Sequence, residues 1–372
     1  MSKKLKVAIV CDWLTGIGGA ERVVLELHRL YPEAPIYTSQ YNPDKLDWFA
    51  DADVRTTWLQ RLPSSLKKFL PLLRAWTFSR LDLSDYDLVI SSSGAEAKGV
   101  HTGSKTIHIC YCHAPTHYYW TRRGEYLERP GFPFGLNWLA KLGLKLLVGP
   151  LQRWDRRAAK RPDYMIANST HTQEMIQRYY RRDSTVIHPP VETARFKLED
   201  SAELRHGFVV AGRQTPYKRF DLAIQACDEL KVPLIVIGDG PDHRRLEKLA
   251  GHSTTFLTNA NDQEIAAHFG SALGLILPNV DDFGIVAVEA MAAGTPVIAY
   301  NKGGALDYVT PGKTGLMFER QTVKGLAEVL ETAVNKTFDY AAIAEHAEQF
   351  SVDNFNKIMH SYIYDCLSER KP

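Results

Sequence analysis

Apolar runs only a few residues long recur along this chain, each followed by a polar, Gly- or Ser-containing turn and a stretch of helical character. Lys6 to Cys11, Leu88 to Ser91, Thr106 to Tyr111 and Tyr164 to Asn168 form one series. Phe208 to Ala211, Leu234 to Gly238, Thr254 to Leu257, Leu273 to Leu277 and Val297 to Tyr300 form a second. Runs this short and this apolar, alternating with helices, are the pattern of parallel strands covered on both faces by crossover helices. Helical spacing is clearest in Ala20 to Leu30, where Val23, Val24, Leu27 and Leu30 repeat on one face. The expected fold class is α/β, with two Rossmann-like, doubly wound domains.

The 372 residues are enough for two domains of ordinary size. Between the two series, His188 to Phe196 carries two prolines and little periodicity, and reads as an interdomain linker. The expected division is 1–187 for the first domain and 188–351 for the second. No run of apolar residues is long enough to span a membrane. The apolar run Val7 to Cys11 is too short for a signal-peptide core and Asp12 closes it, so the chain is expected to stay in the cytoplasm. Five sparsely spaced cysteines make no disulfide framework, and reduced thiols are expected.

Charge is unevenly distributed. The net charge of +2 divides into +9 over Met1 to Ile187 and −7 over the remainder. A basic first half suits an anionic surface, although ordinary surface variation gives the same asymmetry. Two stretches in that half, Leu59 to Leu81 and Phe132 to Arg161, interleave leucine and aromatic residues with lysine and arginine. That mixture belongs either to helices lying on a membrane surface or to core-facing helices with solvated charges; the first predicts peripheral contact through the basic N-terminal domain.

Four motifs carry candidate chemistry. Gly16-Ile-Gly18-Gly19-Ala20 lies between the first strand and the first helix, where glycines let a backbone and a helix N-terminus approach phosphate. It is a weak signal, because Glu21 stands where a dinucleotide fingerprint has a third small residue. Arg213-Gln-Thr-Pro-Tyr-Lys218-Arg219 places two cations just beyond a strand, suited to a diphosphate and to the charge that develops as it leaves. Asp281-Asp-Phe283-Gly284-Ile285-Val286 leads to Glu289, eight residues after Asp281, so that one carboxylate sits on a loop and the other in a helix. His108-Ile-Cys110-Tyr-Cys112-His113 ends a strand; its C-x-C lacks a second ligand pair and is poor metal spacing, whereas His113 lies where open α/β sheets gather ligand-contacting groups.

Together these motifs resemble the retaining GT-B glycosyltransferases of family 4, and the resemblance spans essentially the whole chain. The matching stretches are Asp12-Trp-Leu-Thr15, Tyr86 to Ser93, Ile109 to Pro115, Pro216 to Ile224, Ile237-Gly-Asp-Gly-Pro241 and Asp282 to Val286. Among family members the chain looks most like the WbaZ-like mannosyltransferases of surface polysaccharide assembly.

The resemblance implies a GT-B fold, with two domains facing a central cleft and the helix at about 352–372 crossing back to the first domain. It implies that Gly18 and Gly19 lie near the donor phosphates and that His113 contacts the donor sugar. Arg213 and Lys218 would hold the diphosphate, Asp281 the sugar, Glu289 the ribose, and the amides after Phe283 the phosphate and sugar. The family's first acid is usually Glu. Asp281 is one methylene shorter, keeping the charge and changing the reach. No bound cofactor and no metal are implied; Asp51-Ala-Asp53 has a D-x-D pattern but lies far from the other motifs. The implied partners are a nucleotide-sugar donor, GDP-mannose first and UDP-sugars next, and a lipid-linked or glycan acceptor. A nucleotide-sugar epimerase of the same architecture, or a non-enzymatic anion- or nucleic-acid-binding protein, would share parts of the pattern. The acidic second half argues against nucleic acid.

Overall fold

The computed structural model describes residues 5–62, 70–122, 124, 137–196 and 205–369, with backbone only at Leu70 and 137–146. Parts of the two apolar-basic stretches, 63–69 and 132–136, therefore lie outside the described residues. The chain divides into two compact units, Met1–Pro189 with Asn356–Pro372, and Pro190–Phe355.

The first unit holds β1 (Val7–Cys11), α1 (Gly19–Leu30), β2 (Ile36–Thr38), β3 (Val54–Thr56), α2 (Leu70–Arg80), β4 (Leu88–Ser93), β5 (Ile107–Cys112), α3 (Asn137–Ala158), β6 (Tyr164–Ala167), α4 (Thr170–Tyr180) and β7 (Thr185–Val186). Its sheet runs β3-β2-β1-β4-β5-β6-β7, every pairing parallel. All residues of β1, β4 and β5 are buried, which is why these strands read as unbroken apolar or small-residue runs.

The second unit holds β8 (Phe208–Ala211), α5 (Phe220–Leu230), β9 (Leu234–Ile237), α6 (His243–Leu249), β10 (Thr254–Leu257), α7 (Asp262–Ser271), β11 (Gly274–Leu277), α8 (Ile285–Ala292), β12 (Val297–Tyr300), β13 (Gly315–Phe318), α9 (Val323–Val334) and α10 (Tyr340–Ala347). Its sheet runs β10-β9-β8-β11-β12-β13, again all parallel. Successive residues of β8 serve opposite faces: Val209 and Ala211 pack with α8, while Phe208 and Val210 pack with α5 and α9. Each sheet reverses its strand order once, between β1 and β4 and between β8 and β11. In open α/β sheets the crevice at such a switch point, beyond the strands' carboxyl ends, is where ligands bind.

Four strands escaped the sequence reading: β2, β3, β7 and β13. β2, β3 and β7 are three residues or fewer, too short to show a period. β13 begins with Gly315, whose position is fixed by the neighbouring strand, because a Cβ there would overlap the Val297 carbonyl. The last helix, α11 (Val352–Glu369), starts in the second unit and continues into the first. There Asn356 Nδ2 donates to buried Glu26 Oε2 at 2.8 Å and Tyr164 Oη donates to Glu369 Oε2 at 3.0 Å.

Candidate active site

In the second unit the loops after β8 and β11, the strands flanking the switch point, meet through their side chains. The β8 loop passes Arg213, makes a 3-10 turn at Pro216–Lys218, and enters α5 through Arg219 at φ 54°. The β11 loop carries Asn279 and Asp281. Lys218 Nζ lies 2.6 Å from Asp281 Oδ2 and 2.8 Å from Oδ1, and Asn279 Nδ2 donates to Oδ1 at 2.7 Å. Asn279 is buried, and its own Oδ1 has no hydrogen-bond partner among the described residues. Arg213 is exposed, and its guanidinium makes no hydrogen bond or ion pair with the described residues.

Close backbone packing explains the glycines around this loop. A Cβ on Gly238 would overlap the Gly212 carbonyl oxygen, and one on Gly240 the Gln214 carbonyl oxygen. The Ile237-Gly-Asp-Gly-Pro241 motif is therefore the shape that lets β9 end against the β8 loop.

The 281–284 turn is braced from behind. Gly304 donates its amide to the Asp281 carbonyl at 2.8 Å, and Tyr308 Oη donates to the Phe283 carbonyl at 2.9 Å. Phe283 is buried against Tyr308 and Phe350. Gly284 takes φ 97° to open α8, and Ile285 and Val286 fill its first turn, where amides have no intrahelical acceptor. Glu289 is buried one turn further on.

In the first unit, Asp12 follows β1 at the other switch point. Its buried carboxylate accepts the amides of Gly94, Ala95 and Ala97 at 2.8, 2.9 and 2.7 Å, fixing the turn after β4. Gly18 precedes α1 in extended conformation and Gly19 is the helix's first residue. Glu21 in that first turn is buried, and burial, with the charge of Asp12 adding to it, pushes its carboxyl up to about 7. His113 stands half-buried just after β5. Its Nε2 is 2.7 Å from Ser92 Oγ, and its ring lies 5.2 Å from that of Tyr111.

The turn after β4 also carries two buried ion pairs that sequence reading missed. Glu96 accepts from Arg74 Nε at 2.7 Å, from Tyr119 Oη at 3.1 Å, and from Tyr118 Oη. Lys98 Nζ lies 2.7 Å from Asp155, which also accepts from Thr116 Oγ1, Trp120 Nε1 and Tyr180 Oη at 3.1, 2.7 and 2.7 Å. Burial alone would lower the Lys98 pKa, but Asp155 outweighs it and holds it well above the ordinary value. These pairs anchor the aromatic loop that follows His113. The signal was a glutamate and a lysine enclosed by small residues, Ser91 to Gly99, directly after an apolar strand.

The strand motif ending at His113 divides between structural roles. Cys110 and Cys112 pack with Ala159, Met165, Ile176 and Tyr180. His108 is pushed down to about 3 by burial, with Nε2 2.9 Å from Ser91 Oγ. Among the described residues no group of His, Cys, Asp and Glu is arranged to hold a metal ion. Asp53 of the D-x-D pattern pairs with Arg55 at 2.7 Å.

Two family models tile this architecture. The Glycosyltransferase Family 4 model matches residues 17–195, and the model for Glycosyl transferases group 1 matches 194–350. A D-inositol 3-phosphate glycosyltransferase of Streptomyces avermitilis is 31% identical over 229 residues, 51% of this chain and 49% of that one. The chain thus spans about half the length of that relative. Alpha-1,3/1,6-mannosyltransferase ALG2 of Mus musculus is 25% identical and is matched over 93% of its length by 94% of this chain. A GDP-mannose-dependent alpha-(1-6)-phosphatidylinositol monomannoside mannosyltransferase of Mycobacterium tuberculosis is 32% identical over 38% of this chain and 44% of its own length. The crystal structure of Anabaena Alr3699/HepE with UDP and glucose superposes with a TM-score of 0.68 at 20% identity, over 97% of this chain and 99% of that one. Two all-parallel Rossmann-like units with this neighbour define the GT-B architecture. The chain belongs to the family 4 glycosyltransferases.

Proposed function

We propose that this chain is a retaining hexosyltransferase that moves mannose from GDP-mannose to a lipid-linked or glycan acceptor in surface polysaccharide assembly. The observation that carries the reading is the Lys218–Asp281–Asn279 cluster at the carboxyl ends of β8 and β11. It is a cation held at a switch point beside the start of α8, where a diphosphate binds most readily. The activities for which the mouse and mycobacterial relatives are named support mannose, and that of the mycobacterial one supports the guanine nucleotide.

On this reading Arg213, Lys218 and the first amides of α8 receive the donor diphosphate. Glu289 takes the ribose, and Asp281 reaches the sugar once the diphosphate has displaced it from Lys218. As the glycosidic bond breaks, charge grows on the leaving oxygen, and the fixed cations stabilise it without reorganisation. That oxygen accepts the proton of the acceptor hydroxyl attacking from the same face, so configuration is kept with no enzyme nucleophile. In the first unit the family resemblance assigns donor contacts to His113, whose Nε2 is 2.7 Å from Ser92 Oγ, and to Gly18 and Gly19. No cofactor or metal takes part.

The test is a thermal-shift panel of nucleoside diphosphates, followed by transfer assays with the stabilising nucleotide's sugars. GDP should raise the melting temperature by mass action, and GDP-mannose should yield a mannosylated product with retained configuration. Absence of any shift with every nucleotide at saturation would overturn the donor site. Epimerised sugar nucleotide in the absence of acceptor would replace the transferase with an epimerase.

A further inference from the structure

A carboxylate already occupies the helix terminus that the glycine motif suggested for phosphate. Glu21 is the third residue of α1, and helical side chains lean back toward the N-terminus, so its carboxylate returns over Gly18. A Cβ on Gly18 would lie 2.7 Å from Glu21 Oε2. Gly18 itself is extended, at φ −162° and ψ −179°, a conformation that any residue adopts. Glycine at position 18 therefore leaves room for a carboxylate; the path of the chain does not demand it. Nor does the carboxylate serve the helix as a glutamate usually does there. At the matching position of α7, Glu264 Oε2 accepts the Asn261 amide at 2.7 Å and closes a capping box. Glu21 makes no such bond to Gly18; among the described residues its hydrogen-bond partner is its own amide.

Glu21 is 9% exposed and feels the like charge of Asp12, so its ionised form destabilises the fold. Groups held in that condition gather at functional sites. Neither of its oxygens is fully enclosed without a partner, so a ligand can reach the carboxylate. Charge decides which ligand. Glu21 and Asp12 together repel a phosphate at this terminus. Asp12 is already bound by the amides of Gly94, Ala95 and Ala97, whereas Glu21 lacks a donor from any neighbour. A hydroxyl supplies that donor and brings no charge. The loop leading to Gly18 is open and apolar: Ile17 is 62% exposed, and a Cβ on Gly16 would meet nothing within 4 Å. One strong acceptor beside exposed aliphatic surface matches a pyranose, with hydroxyls on its rim and C–H groups on its faces.

We propose that the Glu21 carboxylate receives a hydrogen bond from a sugar hydroxyl of the acceptor, and so positions the acceptor on the first unit. This deepens the transferase reading, on which it rests, by giving the acceptor a sugar hydroxyl at its binding end. It also puts a hydroxyl where the glycine motif suggested a phosphate.

Saturation-transfer NMR of the full chain with the methyl glycosides of mannose, glucose and galactose, without donor, reads the site directly. At least one glycoside should bind. Glu21→Gln should weaken that binding about tenfold, the worth of the charge in one hydrogen bond. The substitution removes a destabilising charge, so the loss is not one of folding. Gly18→Ala, which displaces the carboxylate and keeps its charge, should weaken binding as well. Wild-type binding should strengthen as pH rises through about 7, where the carboxyl ionises, and Glu21→Gln should be flat. The other titratable groups that face Glu21 are Asp12, held by three amides, and the Cys11 thiol, pushed far up by burial; both are kept in Glu21→Gln. With the bound glycoside as acceptor and GDP-mannose as donor, Glu21→Gln should raise the glycoside's KM about tenfold and leave the GDP dissociation constant as it was. Absence of binding by every glycoside, or binding that Glu21→Gln leaves unchanged, would overturn the proposal. So would a large gain in GDP affinity in Glu21→Gln, which would make the α1 terminus a phosphate site that Glu21 guards. Glutamate-dependent glycoside binding with no transfer from any sugar nucleotide would count against the transferase reading and leave the sugar site standing.

Discussion

Asp281 spends both carboxylate oxygens on a single ammonium: Lys218 Nζ lies 2.6 Å from Oδ2 and 2.8 Å from Oδ1. Asn279 holds the carboxylate in that position from the other side. The proposed ligand is itself a polyanion, so Asp281 competes with it for the cation it is meant to meet.

Lys218→Ala should lower kcat about 10²–10³-fold, the usual effect of removing one group that stabilises developing charge. Asp281→Asn should move two constants in opposite directions. Nucleoside diphosphate affinity should rise about tenfold, because the ammonium no longer has an anionic rival, while kcat falls. Calorimetric titration and steady-state kinetics on the two variants check this. Weaker diphosphate binding in D281N would mean that the carboxylate orients Lys218 and does not compete for it.

Glu21 gives the stability a pH dependence. Its carboxyl is raised in the folded protein from 4.5 to about 7, chiefly by burial, so the folded state prefers the protonated form. The stability this contributes is fully present below about pH 4.5 and is lost as pH rises through about 7. Glu21→Gln should flatten that decline and be more stable than wild type at pH 8, by on the order of 2 kcal/mol. Urea unfolding at pH 5 and pH 8 measures it; a parallel loss with pH in both proteins would remove Glu21 as its source.

Asp155→Ala should destabilise the first unit by about 3–5 kcal/mol, because Lys98 is fully buried and loses its counter-ion. Lys98→Met combined with Asp155→Leu should recover only part of that loss, since no charge stays buried but the Trp120 and Tyr180 donors lose their acceptor. Denaturant melts of the single and double variants separate the cost of an orphaned charge from the net worth of the pair.

Gly304 has no room for a side chain. A Cβ there would overlap the Phe283 Cα and lie 2.6 Å from the carbonyl oxygens of Asp282 and Phe283, backbone that cannot step aside. Gly304→Ala should cost about 1–3 kcal/mol and weaken nucleoside diphosphate binding by shifting the 281–284 turn. Gly16, where a Cβ meets nothing within 4 Å, provides the contrast: Gly16→Ala should leave the melting temperature unchanged.

The fold was legible where strands are buried on both faces and long enough to stand out. β1, β4, β5 and β8 announce themselves because every residue in them is covered, whereas two-residue β7 leaves no periodic trace. At the site, motif spacing singled out Lys218 and Asp281 but not their contact, which depends on two loops sixty-three residues apart in the chain arriving beside each other. Asn279 and Asp12 were not read as site residues, since a single polar side chain beside a strand carries no period and no spacing. Glu96 and Lys98 went unread because charge in a sequence ordinarily means solvent. Their burial follows from Arg74 and Asp155, partners supplied by distant helices.

The path of α11 bears on the order in which the molecule is made. Residues 356–369 belong to the first unit, yet they follow the whole second unit in the chain. A ribosome releases Glu26 and Tyr164 long before it supplies Asn356 and Glu369, the groups that bond to them. The half synthesised first is thus the half finished last, and until its closing helix emerges it waits on the nascent chain with that flank uncovered.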